Sequence, residues 1–224
     1  MTLDLVVPTR SRLEKLNVCV DSLKEASSNI QEKTNIIIYV DEDEYDITSK
    51  TIKQVDEIRV LKEEFLAAKF WNNHLKNMTS DILCYLTDDI KMDKYCLKFA
   101  LEALKKLDYD GLVGFNQVNQ KGNSNCNAAF GLFSLKFADR FPNREVFYPE
   151  YSAFYLDEEL MKYAISINKF IYCEDAKLEH YHPAFTGDKP DSTYFHHRRY
   201  KSRDIEIYRR RQEKNLIWGI SFEK

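Results

Sequence analysis

Two adjacent carboxylates, Asp88 and Asp89, close an apolar run that reads Ile82 to Leu86 and breaks at Thr87. Carboxylates repel each other and resist leaving water, so such a pair at the mouth of a core strand is either solvated turn or the seat of a cation. Hard divalent cations such as Mn²⁺ or Mg²⁺ take oxygen ligands, commonly one or two carboxylates completed by a substrate's phosphates. Further along, His180 and His182 stand two apart. On a strand their side chains share a face and offer imidazole to the same site. A lone histidine is more often structural, and His196 and His197 read as surface residues.

The elements that must position these groups alternate. "LDLVVP" reads as a first buried strand ended by Pro8, and Leu13, Leu16, Val20 and Leu23 recur at helical spacing. "NIIIYV" (35–40) is a second strand, followed by the acidic loop Asp41 to Glu44. A helix near 48–57, a short strand from Ile58 to Leu61, a helix from Phe65 to Met78, the strand Ile82 to Leu86, a helix from Tyr95 to Leu107 and the strand "GLVGF" (111–115) continue the pattern. The expectation is an α/β fold, a mainly parallel sheet with helices on both faces and ligands at the carboxyl ends of its strands. Pro8 to Arg10, Asp41 to Asp43 and Thr87 to Asp89 all follow strands, so they are expected to converge on one crevice. The second half is less regular: a polar loop over Asn116 to Asn127, the apolar "FGLFSL", an aromatic stretch from Phe147 to Tyr155, then "KFIYCEDAKLEHYHP".

With 224 residues, 44% of them hydrophobic, the chain suits one domain with a real core. A net charge of −3 carries no global signal for nucleic acid or membrane. Five scattered cysteines (Cys19, Cys84, Cys96, Cys126, Cys173) without a C-x-x-C pair read as reduced thiols. No signal-like segment and no apolar run of about 18 residues is present, so the expectation is a cytoplasmic protein without a membrane partner.

Six short motifs, in this order, resemble the glycosyltransferases of the GT-A fold, especially the small inverting, family 2-like enzymes that use a nucleotide-diphosphate sugar: "VVPTRSR" (6–12), "IYVDEDE" (38–44), "KFWNNHL" (69–75), "CYLTDD" (84–89), "FYLDEEL" (154–160) and "HYHP" (180–183). The resemblance spans almost the whole chain and implies a single GT-A, Rossmann-like domain over 1–224. Its nucleotide-sugar-binding half is 1–115, and 116–224 forms a smaller acceptor-side lobe. It implies a metal-dependent transfer, with a UDP-sugar as the expected donor and Mn²⁺ or Mg²⁺ as cofactor. Such enzymes carry an Asp-x-Asp metal motif; here Thr87 replaces the first acid and Asp89 matches the metal-binding one, with His182, ahead of His180, as its partner. By the same resemblance Pro8, Thr9 and Arg10 line the nucleotide, Asp41 holds base or ribose with Asp43 beside it, and Lys69, Asn72 and Asp88 lie near the donor. For Asn72 and Trp71 plain helix packing is an equal alternative. Asp157 matches the general base of inverting members, with Glu158 its neighbour; the competing reading is a helix N-terminus that places acids beside its dipole.

Between Arg198 and Lys214 the chain is heavily basic and of helical length, with Ile205 and Tyr208 as its expected apolar contacts. Compact size and a basic end resemble the small glycosyltransferases of phage genomes, some of which decorate DNA, so the acceptor hydroxyls include a hydroxymethylated DNA base, reached in the cytoplasm of an infected host. A surface glycan or small molecule is the alternative acceptor, and a solvated helix the alternative use of the basic residues. A nucleotidyltransferase shares the sheet and the metal but places a glycine-rich loop after the first strand, which "PTRSRLEK" lacks. A non-catalytic nucleotide-sugar-binding or DNA-binding module has little use for a strand-end acid, an imidazole pair and a candidate base.

Overall fold

The N-terminal apolar run forms β1 (Thr2–Pro8), buried at five consecutive positions as befits a strand covered on both faces. The structure, a computed structural model, describes residues 1–120, 127–187 and 189–220. Cys126 and half of the loop expected over 116–127, residues 121–126, lie outside them; the other four cysteines are free thiols. β1 pairs in parallel with β2 (Lys33–Asp41) and with β4 (Ile82–Tyr85), and β2 pairs in parallel with β3 (Glu57–Leu61). The second half continues the sheet through β5 (Ile90–Met92), β6 (Leu112–Gln117), β7 (Gly131–Ser134) and β8 (Phe170–His180). The strand order is β3-β2-β1-β4-β7-β6-β8-β5. The joins at β4–β7, β6–β7 and β5–β8 are antiparallel, while β6–β8 is parallel.

Alternation along β1 sends Leu3, Leu5 and Val7 to one face, against Leu16, Val20 and Leu23 of α1 (Leu13–Ser27) and Leu97 of α4 (Cys96–Lys106). Val6 faces the other side, with Leu75 of α3 (Ala67–Asn77) and Tyr163 of α6 (Leu156–Ser166) in the same core. Burying each such side chain contributes roughly 1.5–3 kcal/mol. Asp4 is a charged residue inside β1, and it is satisfied there: its Oδ1 accepts from Asn35 Nδ2 at 2.8 Å and Ser80 Oγ at 2.6 Å.

Three elements depart from expectation. The helix predicted over 48–57 is α2 (Tyr45–Thr51), ending where Ile52 turns extended and buries in the core. The three-residue β5 is too short to announce itself by periodicity, yet it places the acid pair: Leu86 to Asp89 is all that links β4 to β5. The basic end is two helices, α8 (Ser192–Arg198) and α9 (Lys201–Glu213). On α9 the buried aliphatic is Ile207 rather than Ile205, because the inward face carries Asp204, Ile207 and Arg211. Short α5 (Leu135–Ala138) and α7 (Pro183–Thr186) complete the order. Among the described residues no helix is long and apolar enough to cross a membrane.

Candidate active site

β5 runs antiparallel to β8 with Ile90 opposite His180, and the Tyr181 N–H donates to the Asp89 carbonyl at 2.7 Å. That register sets His180 beside Asp89, its Nε2 3.4 Å from Oδ1. The other ring nitrogen of His180 lies 3.0 Å from Gln117 Oε1. Asp88 and Asp89 are 2% and 3% exposed, so the solvated-turn reading does not hold. Thr9 Oγ1 donates to Asp88 at 2.7 Å and Thr87 Oγ1 to Asp89 at 2.6 Å. Thr87, standing where the motif has an acid, thus supports Asp89.

The positive charge between these acids belongs to Arg12. Its Nη1 stands 3.1 Å from Asp88 Oδ1 and 3.1 Å from Asp89 Oδ2. Burial and the neighbouring charge of Asp89 push the Asp88 carboxyl up. Asp89 is also buried, but its hydrogen bond to His180 and the charges of His180 and Arg12 hold it below the usual carboxylate range. Two buried carboxylates sharing one cation are a donor set that suits a hard divalent ion completed by phosphate oxygens. Asp89, His180 and His182 do not gather into one ligand set: among the described residues no group of three or more His, Cys, Asp or Glu is arranged to hold a metal. His182 Nδ1 instead accepts the Ala184 N–H at 3.2 Å and caps α7.

A cavity of about 310 Å³ opens at these strand ends, lined by Pro8, Thr9, Arg10, Asp41, Asp88, Asp89 and His182. The crevice expected from the strand ends is therefore present. Arg10 Nε lies 3.4 Å from Asp41, whose carboxyl is raised by burial against the lowering pull of Arg10. The far wall is α8. Thr193 Oγ1 donates to the Arg10 carbonyl at 2.7 Å, and Arg10 Nη1 stands 3.1 Å from His196 Nδ1. His196 and His197, read as surface from sequence, line the cavity because α8 folds back across the strand ends. Burial lowers both imidazoles, His197 to about 4.

Three other expected residues stand elsewhere. Asp43 is exposed on the turn after β2, outside the cavity lining. Lys69 is exposed and paired with Glu63. Asn72 is buried and occupied: its Nδ2 donates to the Phe147 carbonyl at 2.7 Å and its Oδ1 accepts the Phe147 N–H at 3.0 Å. Trp71 packs in the core beside Tyr85.

The triplet Asp157-Glu158-Glu159 divides into three roles. Glu159 is 1% exposed and paired with Arg211, while Tyr151 Oη donates to it at 2.7 Å. Glu158 accepts from Tyr208 Oη and lies 3.4 Å from Lys162 Nζ. Among the described residues Asp157 has backbone partners alone, the N–H groups of residues 157 and 158 at the start of α6; burial raises its carboxyl and those two N–H groups pull it back. Asp157 is outside the cavity lining, three residues beyond Phe154, which is part of it.

Sequence reasoning missed Arg12 and Asp191. Arg12 ends the quoted motif "VVPTRSR", and that position was its one visible signal. Asp191 meets it across 179 residues of chain, which local patterns do not report.

The cations of the basic end are largely committed internally. Arg199 pairs with Glu64, Arg210 with Glu150 and Arg211 with Glu159, while Arg203 donates to Ser152 Oγ at 2.8 Å.

The fold has known counterparts. The Pyrobaculum calidifontis mannosyltransferase PcManGT, in complex with GDP-Man and Mn²⁺, superposes with a TM-score of 0.59 at 14% identity, covering 79% of this chain and 56% of that one. S. aureus TarS in complex with UDP gives 0.58 at 16% identity, covering 80% and 59%. The 4-diphosphocytidyl-2C-methyl-D-erythritol synthase of Anaerococcus prevotii gives 0.55 at 13%, covering 82% and 94%. The matched region thus spans less than two thirds of PcManGT and of TarS. No curated protein sequence matches the chain. The sequence itself matches Glycosyl transferase family 2 over residues 4–161, from β1 into α6. That is more than half of its length, and the chain belongs to glycosyl transferase family 2.

Proposed function

We propose that this protein, as one domain, transfers a sugar from a nucleoside-diphosphate sugar, with UDP as the expected nucleotide, to an acceptor hydroxyl with inversion at the anomeric carbon. The observation that carries the reading is the buried pair Asp88 and Asp89, sharing one cation at the mouth of the 310 Å³ cavity. Asp88 and Asp89 would hold Mn²⁺ or Mg²⁺ against the donor diphosphate, where the ion supplies positive charge to the leaving nucleoside diphosphate. The mannosyltransferase bound to GDP-Man and Mn²⁺ and TarS bound to UDP support a donor of this class. Asp41 and Arg10 line the part of the cavity suited to the nucleoside, and α8 keeps water from the strand ends. Asp157, with no side-chain partner among the described residues, takes the proton from the attacking hydroxyl.

For the acceptor, the internal pairing of Arg199, Arg203, Arg210 and Arg211 supports an uncharged saccharide or small-molecule hydroxyl. A hydroxymethylated base in DNA is the second reading, supported by Arg198 and Lys201 on the cavity wall, for which the described residues supply no acidic partner.

The test is a panel of nucleotide sugars and, in separate reactions, of nucleoside triphosphates with sugar phosphates, each with and without Mn²⁺, reading nucleoside diphosphate and pyrophosphate separately. Metal-stimulated nucleoside diphosphate release supports the proposal. Pyrophosphate formation from a nucleoside triphosphate would instead assign the nucleotidyl transfer chemistry suggested by the synthase-like fold, and silence with every donor would assign a binding module.

A further inference from the structure

Residues 4–161 match the family, and α9 lies beyond them. It nevertheless reaches back into the segment that carries Asp157. Asp204, Tyr208 and Arg211 fall at i, i+4 and i+7 and so project from one face of α9. Each holds a different part of residues 152–159. Asp204 is 0% exposed, and its carboxylate accepts the backbone N–H groups of Ser152, Ala153 and Phe154 at 3.1, 2.8 and 2.9 Å. Tyr208 stacks on Tyr155, ring centroids 4.4 Å apart and planes at 16°. Arg211 Nε stands 3.0 Å from Glu159.

Tyr155 is the pivot of this segment. Its backbone has φ 67° and ψ −5°, the left-handed region, at the residue that turns the loop into α6. An aromatic residue stays in that region only where its surroundings hold it, and such positions concentrate at functional sites. Asp157 follows two residues later, on the first turn of the helix that Tyr155 starts.

We propose that α9 positions the base: Asp204 fixes the loop before Tyr155, Tyr208 holds Tyr155 left-handed, and together they set where the Asp157 carboxylate stands. The inference rests on Asp157 being the base. Tyr208 touches no reacting atom and acts through Tyr155. A helix that merely stabilises the fold would change melting temperature and leave turnover alone; a positioning helix changes turnover at constant donor binding.

The experiment uses the full chain and compares Asp157→Asn, Tyr208→Leu and the double variant Tyr155→Gly/Tyr208→Leu. Glycine takes positive φ without a Cβ clash, so it relieves the need for the stack. Tyr208→Leu is expected to bind UDP with Mn²⁺ within about twofold of the parent while kcat falls about tenfold or more. Adding Tyr155→Gly is expected to return kcat to within about threefold of the parent. Amide hydrogen exchange at residues 155–158 reads the same question without turnover: faster exchange in Tyr208→Leu is expected, and unchanged exchange overturns the proposal. Unchanged kcat in Tyr208→Leu, or a loss that Tyr155→Gly leaves in place, also overturns it. If Tyr208→Leu does not fold, Tyr208→Phe keeps the stack and loses only the hydroxyl. Parental kcat then supports the ring's role, and a tenfold loss overturns it. Full transfer by Asp157→Asn would refute the base assignment itself, a result separate from any behaviour of Tyr208.

Discussion

Arg12 grips Asp191 through two parallel hydrogen bonds, Nε to Oδ2 at 2.8 Å and Nη2 to Oδ1 at 2.9 Å. The same guanidinium turns its third nitrogen to Asp88 and Asp89. Asp191 in turn caps α8, its Oδ1 accepting the Tyr194 N–H at 2.8 Å. One buried cation therefore joins the acid pair at the strand ends to the helix that walls the cavity. Bidentate arginine pairs of this kind are stronger and more directional than single contacts.

Arg12→Gln leaves Asp88 and Asp89 adjacent, buried and without their cation. Removing one partner from a buried ion pair costs about 3–5 kcal/mol, and that is the loss expected in denaturant unfolding without divalent ions. Mn²⁺ is expected to raise the melting temperature of the variant more than that of the parent, because the ion no longer competes with a guanidinium. Equal shifts in the two proteins would argue against a cation site on this pair.

Much of this arrangement is written in the sequence, and the rest has a physical reason for being hidden. Strand ends advertise themselves: "LDLVVP", "NIIIYV" and "ILCYL" each stop at a polar group, so the convergence of Pro8, Asp41 and Asp89 follows from parallel pairing. Long-range partners do not. The Arg12–Asp191 pair depends on α8 folding back, and the Asn72–Phe147 contact joins a helix to a loop 75 residues away. The acids of "DEE" differ only by rotation around α6, so neighbours decide their roles: Arg211 takes Glu159, Tyr208 takes Glu158, and Asp157 is left facing backbone. The pairing of the basic end was hidden for the same reason, since composition counts charges and not their partners.

Asn72→Ala strips a buried N–H and a buried carbonyl of Phe147 of their partner. Leaving such groups unsatisfied costs about 1–3 kcal/mol each, so a stability loss of a few kcal/mol is expected in urea titration. Nucleotide affinity at permissive temperature is expected to stay at the parental level. A variant that kept full stability but lost UDP binding would return Asn72 to the donor site.

His74 gives the fold a pH signature. Its side chain is buried, with Tyr39 Oη 3.0 Å from Nδ1, Asp4 Oδ2 3.8 Å from Nε2 and no hydrogen-bond partner on Nε2 among the described residues; burial lowers its pKa from 6.5 to about 4, against the raising pull of Asp4. The unfolded chain therefore binds a proton that the folded chain refuses between these values. The stability this provides is complete above about pH 7 and is lost as pH falls toward 4, amounting to roughly 2–3 kcal/mol by pH 4.5. Comparing unfolding free energies at pH 7.5 and 4.5, His74→Phe is expected to show a decline smaller by that amount. Identical declines would place the titration elsewhere.

Asp157 must be deprotonated to accept a proton, and burial raises its pKa. Turnover under saturating substrates is accordingly expected to fall on the acid side with a midpoint above the ordinary aspartate value of about 3.9. Asp157→Asn is expected to cut transfer by about 10²-fold or more and to remove that limb, while UDP binding is retained. The sugar in the product is expected to have the opposite anomeric configuration to the donor. An NMR spectrum showing retention would exclude a single displacement assisted by this residue.

The acceptor can be decided by salt. Of the cations expected to meet DNA, Arg198, Lys201 and Arg209 keep no acidic partner among the described residues, whereas Arg211 is buried against Glu159. Reversing Arg211 would bury two carboxylates together, so a clean charge reversal is Arg198→Glu, Lys201→Glu and Arg209→Glu. Three phosphate contacts would give a slope of log K against log salt no steeper than about −3 for duplex DNA. A saccharide hydroxyl gives essentially none. The internal pairing of the other cations leads to the flat outcome as the expected one, with acceptor use unchanged in the triple variant. A slope near −3 that disappears on triple reversal, with donor hydrolysis intact, would assign the acceptor to DNA.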